Sequence, residues 1–303
     1  MRWAADLPPL LRGRAWERTT VGRWRSKVMS QPIADGTTQL PNIMMWRRLL
    51  TPGIRQFLWL LPLCLVTLAG CTGAQRQGVQ ADPAREHYTR ALQYLAIGAG
   101  EPAIKDLNEA LKLDPTNAEF HNALAFSYHY EGRYQFALTH YAKALELAPG
   151  YAEAHVNLAA LYLDLARWDD AVAQGREALK ITTYQNPEKA YNNIGLAYLG
   201  KGDLISARRA FRDALAFHDN FPEAHRNLGT IYFQQGHVDD AIREFREALR
   251  LRPNYAEAHV DLGVAYLERG SQAEAIAQFQ RVIQMDPESE LADLAKWYLG
   301  TLP

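Results

Sequence analysis

From Ala84 onward, apolar and small residues recur at helical spacing, and the whole pattern repeats with a period of 34 residues. The units run 84–117, 118–151, 152–185, 188–221, 222–255 and 256–289, with Asn186-Pro187 inserted before the fourth. The stretches AEAHVNLAALYLDLARWDDAV from Ala152 and AEAHVDLGVAYLERGSQAEAI from Ala256 align without a gap. Small residues hold two places in every unit. Repeat position 8 carries Ala91, Ala125, Ala159, Gly195, Gly229 and Gly263, and position 20 carries Ala103, Ala137, Ala171, Ala207, Ala241 and Ala275. Each unit is therefore expected to be a closely approaching helix pair. Position 11 is always tyrosine (Tyr94, Tyr128, Tyr162, Tyr198, Tyr232, Tyr266) and position 24 is bulky at Leu107, Tyr141, Phe211, Phe245 and Phe279, filling the space the small residues leave. Pro115, Pro149, Pro253 and Pro287 stop the second helices. Leu291, Leu294 and Trp297 predict one more helix, over Glu290–Gly300, which caps the last unit within 290–303. Gly175 breaks the bulky position, close to the Asn186-Pro187 insertion, and a change of superhelical register is expected at that joint.

These agreements, spread over 206 of 303 residues, resemble the tetratricopeptide repeat family. The resemblance implies an all-α chain: a right-handed superhelical solenoid of six helix-turn-helix repeats with a C-terminal capping helix. A single unit cannot bury its apolar face, so neighbours stack and leave a concave groove. In the family that groove is lined from positions 2, 5, 6, 9, 12 and 13. Carried onto this sequence, the lining includes Tyr88, Asn122, Asn192 and Arg226 at position 5, Asn157, Asn193 and Asn227 at position 6, and Leu92, Phe126, Leu196 and Val264 at position 9. Amides both donate to and accept from a peptide backbone, although capping or solvation is an equal reading of them. The basic pattern that clamps a terminal carboxylate is reduced to Arg226 and Lys189, so a partner segment with apolar anchors fits better than an acidic tail.

Ahead of the repeats stands MWRRLLTPGIRQFLWLLPLCLVTLAGC from Met45: a basic start, an apolar run from Phe57 to Leu68, then small residues. That is the layout of a secretory signal over 45–70, and the run is short for a membrane span of roughly 20 residues. Leu68-Ala69-Gly70-Cys71 resembles the lipobox of bacterial lipoproteins, which implies lipidation of Cys71 and cleavage before it. Two or three chains, at about 0.8 kcal/mol per buried CH₂, anchor stably. Thr72, in place of an inner-membrane Asp, implies the outer membrane and its periplasmic face. An uncleaved anchor or buried helix is the alternative. Residues 1–44 read as a non-native or disordered extension, with Met44 or Met45 as the start, or else as a basic cytoplasmic extension; 71–83 is a lipidated linker.

Charge divides the chain at the same place. Residues 1–70 hold 10 Lys and Arg against 3 Asp and Glu, a net +7, which leaves −8 from Cys71 onward in a chain of net −1. An acidic array without a basic stripe is unsuited to nucleic acid. Both cysteines, Cys64 and Cys71, precede the repeats, so no disulfide framework or cysteine metal site is available there. Gly195 to Gly202 contains G-x4-G-K but lacks the following Ser or Thr and a preceding strand. His87, His121, His155, His225 and His259 recur at position 4, one per hairpin, too far apart to converge on a metal, and read as packing residues. With no nucleophile elbow or zinc-protease motif either, the expectation is a non-enzyme: no catalytic residue, cofactor, metal or small-molecule substrate.

A lipobox followed by about six repeats, with the phrase from Tyr184-Gln185-Asn186-Pro187 through Tyr198, resembles the PilF/PilW type of type IV pilus biogenesis lipoproteins. That resemblance implies protein or peptide partners, among them secretin or pilus components, and help in secretin assembly at the outer membrane. A scaffold for another envelope machine (polysaccharide export, cell-wall synthesis) or a protease adaptor has the same sequence features.

Overall fold

The structure is a computed structural model that describes residues 82–302. The extension 1–44, the signal 45–70, Cys71 and all of the linker up to Ala81 lie outside the described residues. Thirteen helices follow: α1 Pro83–Ala96, α2 Gly100–Leu113, α3 Ala118–Tyr130, α4 Tyr134–Leu147, α5 Ala152–Asp164, α6 Trp168–Lys180, α7 Pro187–Gly200, α8 Leu204–Phe217, α9 Pro222–Gln234, α10 Val238–Leu251, α11 Ala256–Arg269, α12 Gln272–Met285 and α13 Glu290–Thr301. Among the described residues there is no strand, and consecutive helices pack as six hairpins stacked in order, closed by α13. The chain is an all-α solenoid.

Local chemistry starts and stops these helices. Asp82, Asn117, Asp203 and Ser289 cap α1, α3, α8 and α13 through their side-chain oxygens, and Pro83, Pro187 and Pro222 occupy first turns where the missing N–H costs nothing. Five of the six hairpin turns place a glycine in the left-handed region; the third places Ala166 there, at φ 55°, a conformation that strains a side chain.

Within each hairpin the close approach falls where small residues meet the second helix. A Cβ added to Gly195, Gly229 or Gly263 would lie 2.6, 2.7 and 2.6 Å from the rings of Phe211, Phe245 and Phe279. The alanines at position 20 are wholly buried. It is thus the position 24 side chains that fill the hairpins. The position 11 tyrosines have a second role: Arg176, Arg212 and Arg246 each donate to the hydroxyl of the next repeat's tyrosine, Tyr198, Tyr232 and Tyr266, at 2.8–2.9 Å.

Between hairpins, positions 3, 7 and 10 of each first helix are buried, as in Phe120, Leu124 and Ser127 of α3 or Ala224, Leu228 and Ile231 of α9. In α1 the same places hold exposed Glu86, Arg90 and Gln93, so that end of the stack is polar. At the other end Tyr298 of α13 stacks on Phe279 at 4.8 Å and Leu291, Leu294 and Leu299 cover the core. At the third joint, where Gly175 leaves the bulky position vacant, Ile194 of α7 fills it, with its Cγ1 2.7 Å from where a Cβ would stand. There α5 and α7 touch more extensively than other alternate helices do.

Candidate functional site

The five position 4 histidines link the two helices of their hairpins through hydrogen bonds, His87 through Asp106 of α2 at 2.9 Å. His121, His155, His225 and His259 direct Nε2 to the carbonyl of Pro115, Pro149, Asp219 and Pro253, at 3.0–3.2 Å, while Nδ1 faces the second helix at His140, Gln174, Glu244 and Gln278. A carbonyl only accepts, so Nε2 carries the proton in each. In the second repeat it follows that His140 donates from Nδ1 to neutral His121, 3.0 Å away. Burial lowers both imidazoles, His140 to about 4 with a further contribution from His121. His225 is the opposite case: burial works against its charge, yet the Glu244 carboxylate holds it above its ordinary value. Among the described residues no three His, Cys, Asp or Glu are placed to hold a metal.

Positions 5 and 6 form a ladder from repeat to repeat. Asn157 donates to Asn122 Oδ1 at 3.2 Å, Asn227 donates to Asn192 Oδ1 at 2.9 Å, and Asn193 donates to the carbonyl of Val156 at 3.0 Å because that repeat has no amide at position 5. Asn122 also donates to the Tyr151 hydroxyl at 3.4 Å. At the last joint the rung is ionic, Arg226 Nε to Asp261 Oδ2 at 2.6 Å. Tyr88, at the first, gives its hydroxyl proton to Glu119 at 2.8 Å. The amide groups assigned from sequence to a groove are thus brought together along one face, with their N–H groups directed at the neighbouring repeat. Asn193 is fully buried and its Oδ1 has no partner.

The apolar set at position 9 is placed differently. Leu92 is exposed and Phe126, Leu196 and Val264 are half-buried beside the ladder. Each keeps apolar area open to water, as do Leu95, Leu199, Phe233 and Leu267 at position 12. Near the N-terminal end of this face, an open recess of about 720 Å³ is lined by Asp114, Thr116, Asn117, Ala118, Glu119, Tyr151 and Glu153.

Two polar features were not singled out from sequence. His129 donates from Nε2 to Asp164 Oδ2 at 2.7 Å, both side chains nearly buried, next to fully buried Tyr141, whose hydroxyl lacks a partner, as does Asp164 Oδ1. Their signal was His129 standing where other repeats have Leu or Phe. Glu257, at position 2, is 7% exposed and has an oxygen without a partner. The Walker-like string runs along the end of α7 into its turn, with Gly202 at φ 78°, and offers no strand-to-helix loop. No helix among the described residues is long and apolar enough to cross a membrane.

Comparison with known proteins bears on the fold. Tetratricopeptide repeat models match residues 192–242 and 226–290, and 116–183, and a further TPR repeat model matches 91–130. No curated protein sequence matches the chain. Similar solved structures include PilF of Pseudomonas aeruginosa, 20% identical, covering 71% of this chain and 97% of its own with a TM-score of 0.60. PilW, a widely conserved type IV pilus biogenesis factor, is 23% identical, with 70% and 97% covered and a TM-score of 0.62. The Cut9 and Hcn1 assembly of the APC/C is 21% identical over 70% of this chain but only 42% of its own, with a TM-score of 0.63. At such identities the likeness is one of fold.

Proposed function

Because the chain belongs to the tetratricopeptide repeat family, whose stacked helix pairs present extended concave surfaces to other proteins, we propose a non-enzymatic scaffold of the bacterial envelope. In this reading a lipid on Cys71 holds it at the periplasmic face of the outer membrane, where it assists secretin assembly in type IV pilus biogenesis. The observation that carries the pilus part is extent: the same arrangement of repeats spans 97% of both PilF and PilW, and here a segment resembling a lipobox precedes it. The partner segment lies along the first-helix face, with apolar anchors against Leu92, Phe126, Leu196 and Val264. The ladder behind them supplies a rigid backing.

Deleting the gene is expected to leave secretin monomers where heat-resistant multimers normally run on gels, and to remove surface pili. Pili and multimers in the deletion strain would remove the pilus assignment and leave a scaffold for another envelope machine. Combined Leu92→Ala, Phe126→Ala and Leu196→Ala should reproduce the deletion at an unchanged helical spectrum, since interface anchors contribute roughly 1–2 kcal/mol each. Cys71→Ser should release the protein from the outer-membrane fraction; normal processing and fractionation of that variant would refute the anchor.

A further inference from the structure

Three of the inter-repeat rungs are neutral, but the last is built from charges. Arg226 and Asp261 pair at 2.6 Å with side chains only 14% and 17% exposed. Burial works against the Arg226 charge, yet Asp261 beside it holds the guanidinium above its ordinary value. One helical turn before Asp261, in the first turn of α11, stands Glu257, 7% exposed, whose Oε1 meets no donor. At the same repeat position, Glu119 takes hydrogen bonds from Tyr88 and Arg85, Glu223 takes one from Arg252, and Glu153 is exposed to water.

The charged and titratable groups that surround Glu257 are Glu223 and Arg226 from α9, Arg252 and Tyr255 from the turn before α11, and Asp261 from α11 itself. Two guanidiniums serve this joint, and each is already committed, Arg226 to Asp261 and Arg252 to Glu223. Both also lie over the Tyr255 ring, with centroid distances of 5.9 and 4.7 Å. An ionised Glu257 is one carboxylate more than these guanidiniums serve: its own backbone N–H is a hydrogen-bond donor to it, but Oε1 has none, and a buried charge so poorly provided for costs more than a neutral group in its place.

We propose that the joint between the fifth and sixth repeats is a proton-operated element: protonated Glu257 leaves both arginine pairs intact, whereas ionised Glu257 draws a guanidinium from its partner and α11 shifts against α9. Because Arg226 and Asp261 are also the last rung of the ladder, the C-terminal end of the proposed binding face changes shape with the state of one proton. Burial, only partly offset by Arg226, raises Glu257 from 4.5 to about 7, which sets the transition at neutrality. With its folded value above its unfolded one, Glu257 contributes full stability below pH 4.5 and loses it as pH rises through 7.

The test is an NMR titration of the purified protein from pH 5.5 to 8.5, following the Glu257 carboxyl carbon and the amides of α9 and α11. A Glu257 midpoint near 7, shared by amides of both helices, is expected; Glu257→Gln should abolish the amide step and His225→Gln should leave it. A Glu257 carboxyl already ionised at pH 5.5, with no titration above it, overturns the proposal without reference to any variant. So does an amide step that survives in Glu257→Gln, or one that vanishes in His225→Gln, because His225 of α9 in the preceding repeat would then be the titrating group.

Discussion

Replacing Gly229 by Ala sets two known effects against each other. Alanine is better than glycine in a helix interior by about 1 kcal/mol, so on propensity alone the variant gains stability. The hairpin opposes this. The new Cβ would lie 2.7 Å from the Phe245 ring and 3.2 Å from the carbonyl oxygen of Ala241, where carbon contacts favour about 3.5–4.0 Å. Phe245 is 2% exposed, so its ring has no water-filled space to move into. Overpacking of this kind costs about 1–3 kcal/mol, and with both a buried ring and backbone in the way the net loss is expected at about 1–2 kcal/mol. The melting midpoint should fall by about 2–8 °C for a chain of this size. Phe245→Leu reproduces the pairing of the first repeat, where Ala91 faces Leu107. The double variant should therefore be more stable than the two single losses combined, by at least about 1 kcal/mol in a denaturant double-mutant cycle. A higher midpoint for Gly229→Ala, or strict additivity, would refute the steric coupling of positions 8 and 24.

Other outcomes follow from single observations. Ala166→Gly should gain about 0.5–1 kcal/mol in urea unfolding, because it removes the penalty of a side chain at φ 55°; a loss would mean the turn is unstrained. His140, lowered to about 4 by burial and by His121, contributes stability that is complete above pH 6.5 and lost as pH falls toward 4. The loss is about 3 kcal/mol at most and nearer half that for a half-buried ring. Glu257 runs the other way over part of this interval, so the measurement is the difference in acid sensitivity between wild type and His140→Gln, which should be less sensitive. Asn227→Leu leaves the buried Asn192 oxygen without its donor and should cost about 1–3 kcal/mol, with a destabilisation below 0.5 kcal/mol counting against the ladder.

The architecture was legible in the sequence because each repeat states it again. A Gly or Ala at position 8, an Ala at position 20 and a large side chain at position 24 are demands of one hairpin on residues less than a repeat apart, and six copies make the demand visible. The end helix was legible for the same reason, since Leu291, Leu294 and Trp297 lie within two turns. What the polar residues do was decided between repeats. Asn157 and Asn122, or Asn227 and Asn192, are 35 residues apart, and only the stacking angle directs one amide at the other. The tyrosines at position 11 looked like filling until stacking set an arginine of the preceding repeat against three of their hydroxyls. Glu257 shows the limit most clearly: its sequence neighbours match those of Glu153, yet one is exposed and the other buried with an oxygen that meets no donor. Burial and the direction of a hydrogen bond depend on what the next repeat places there, and a one-dimensional pattern carries no such information.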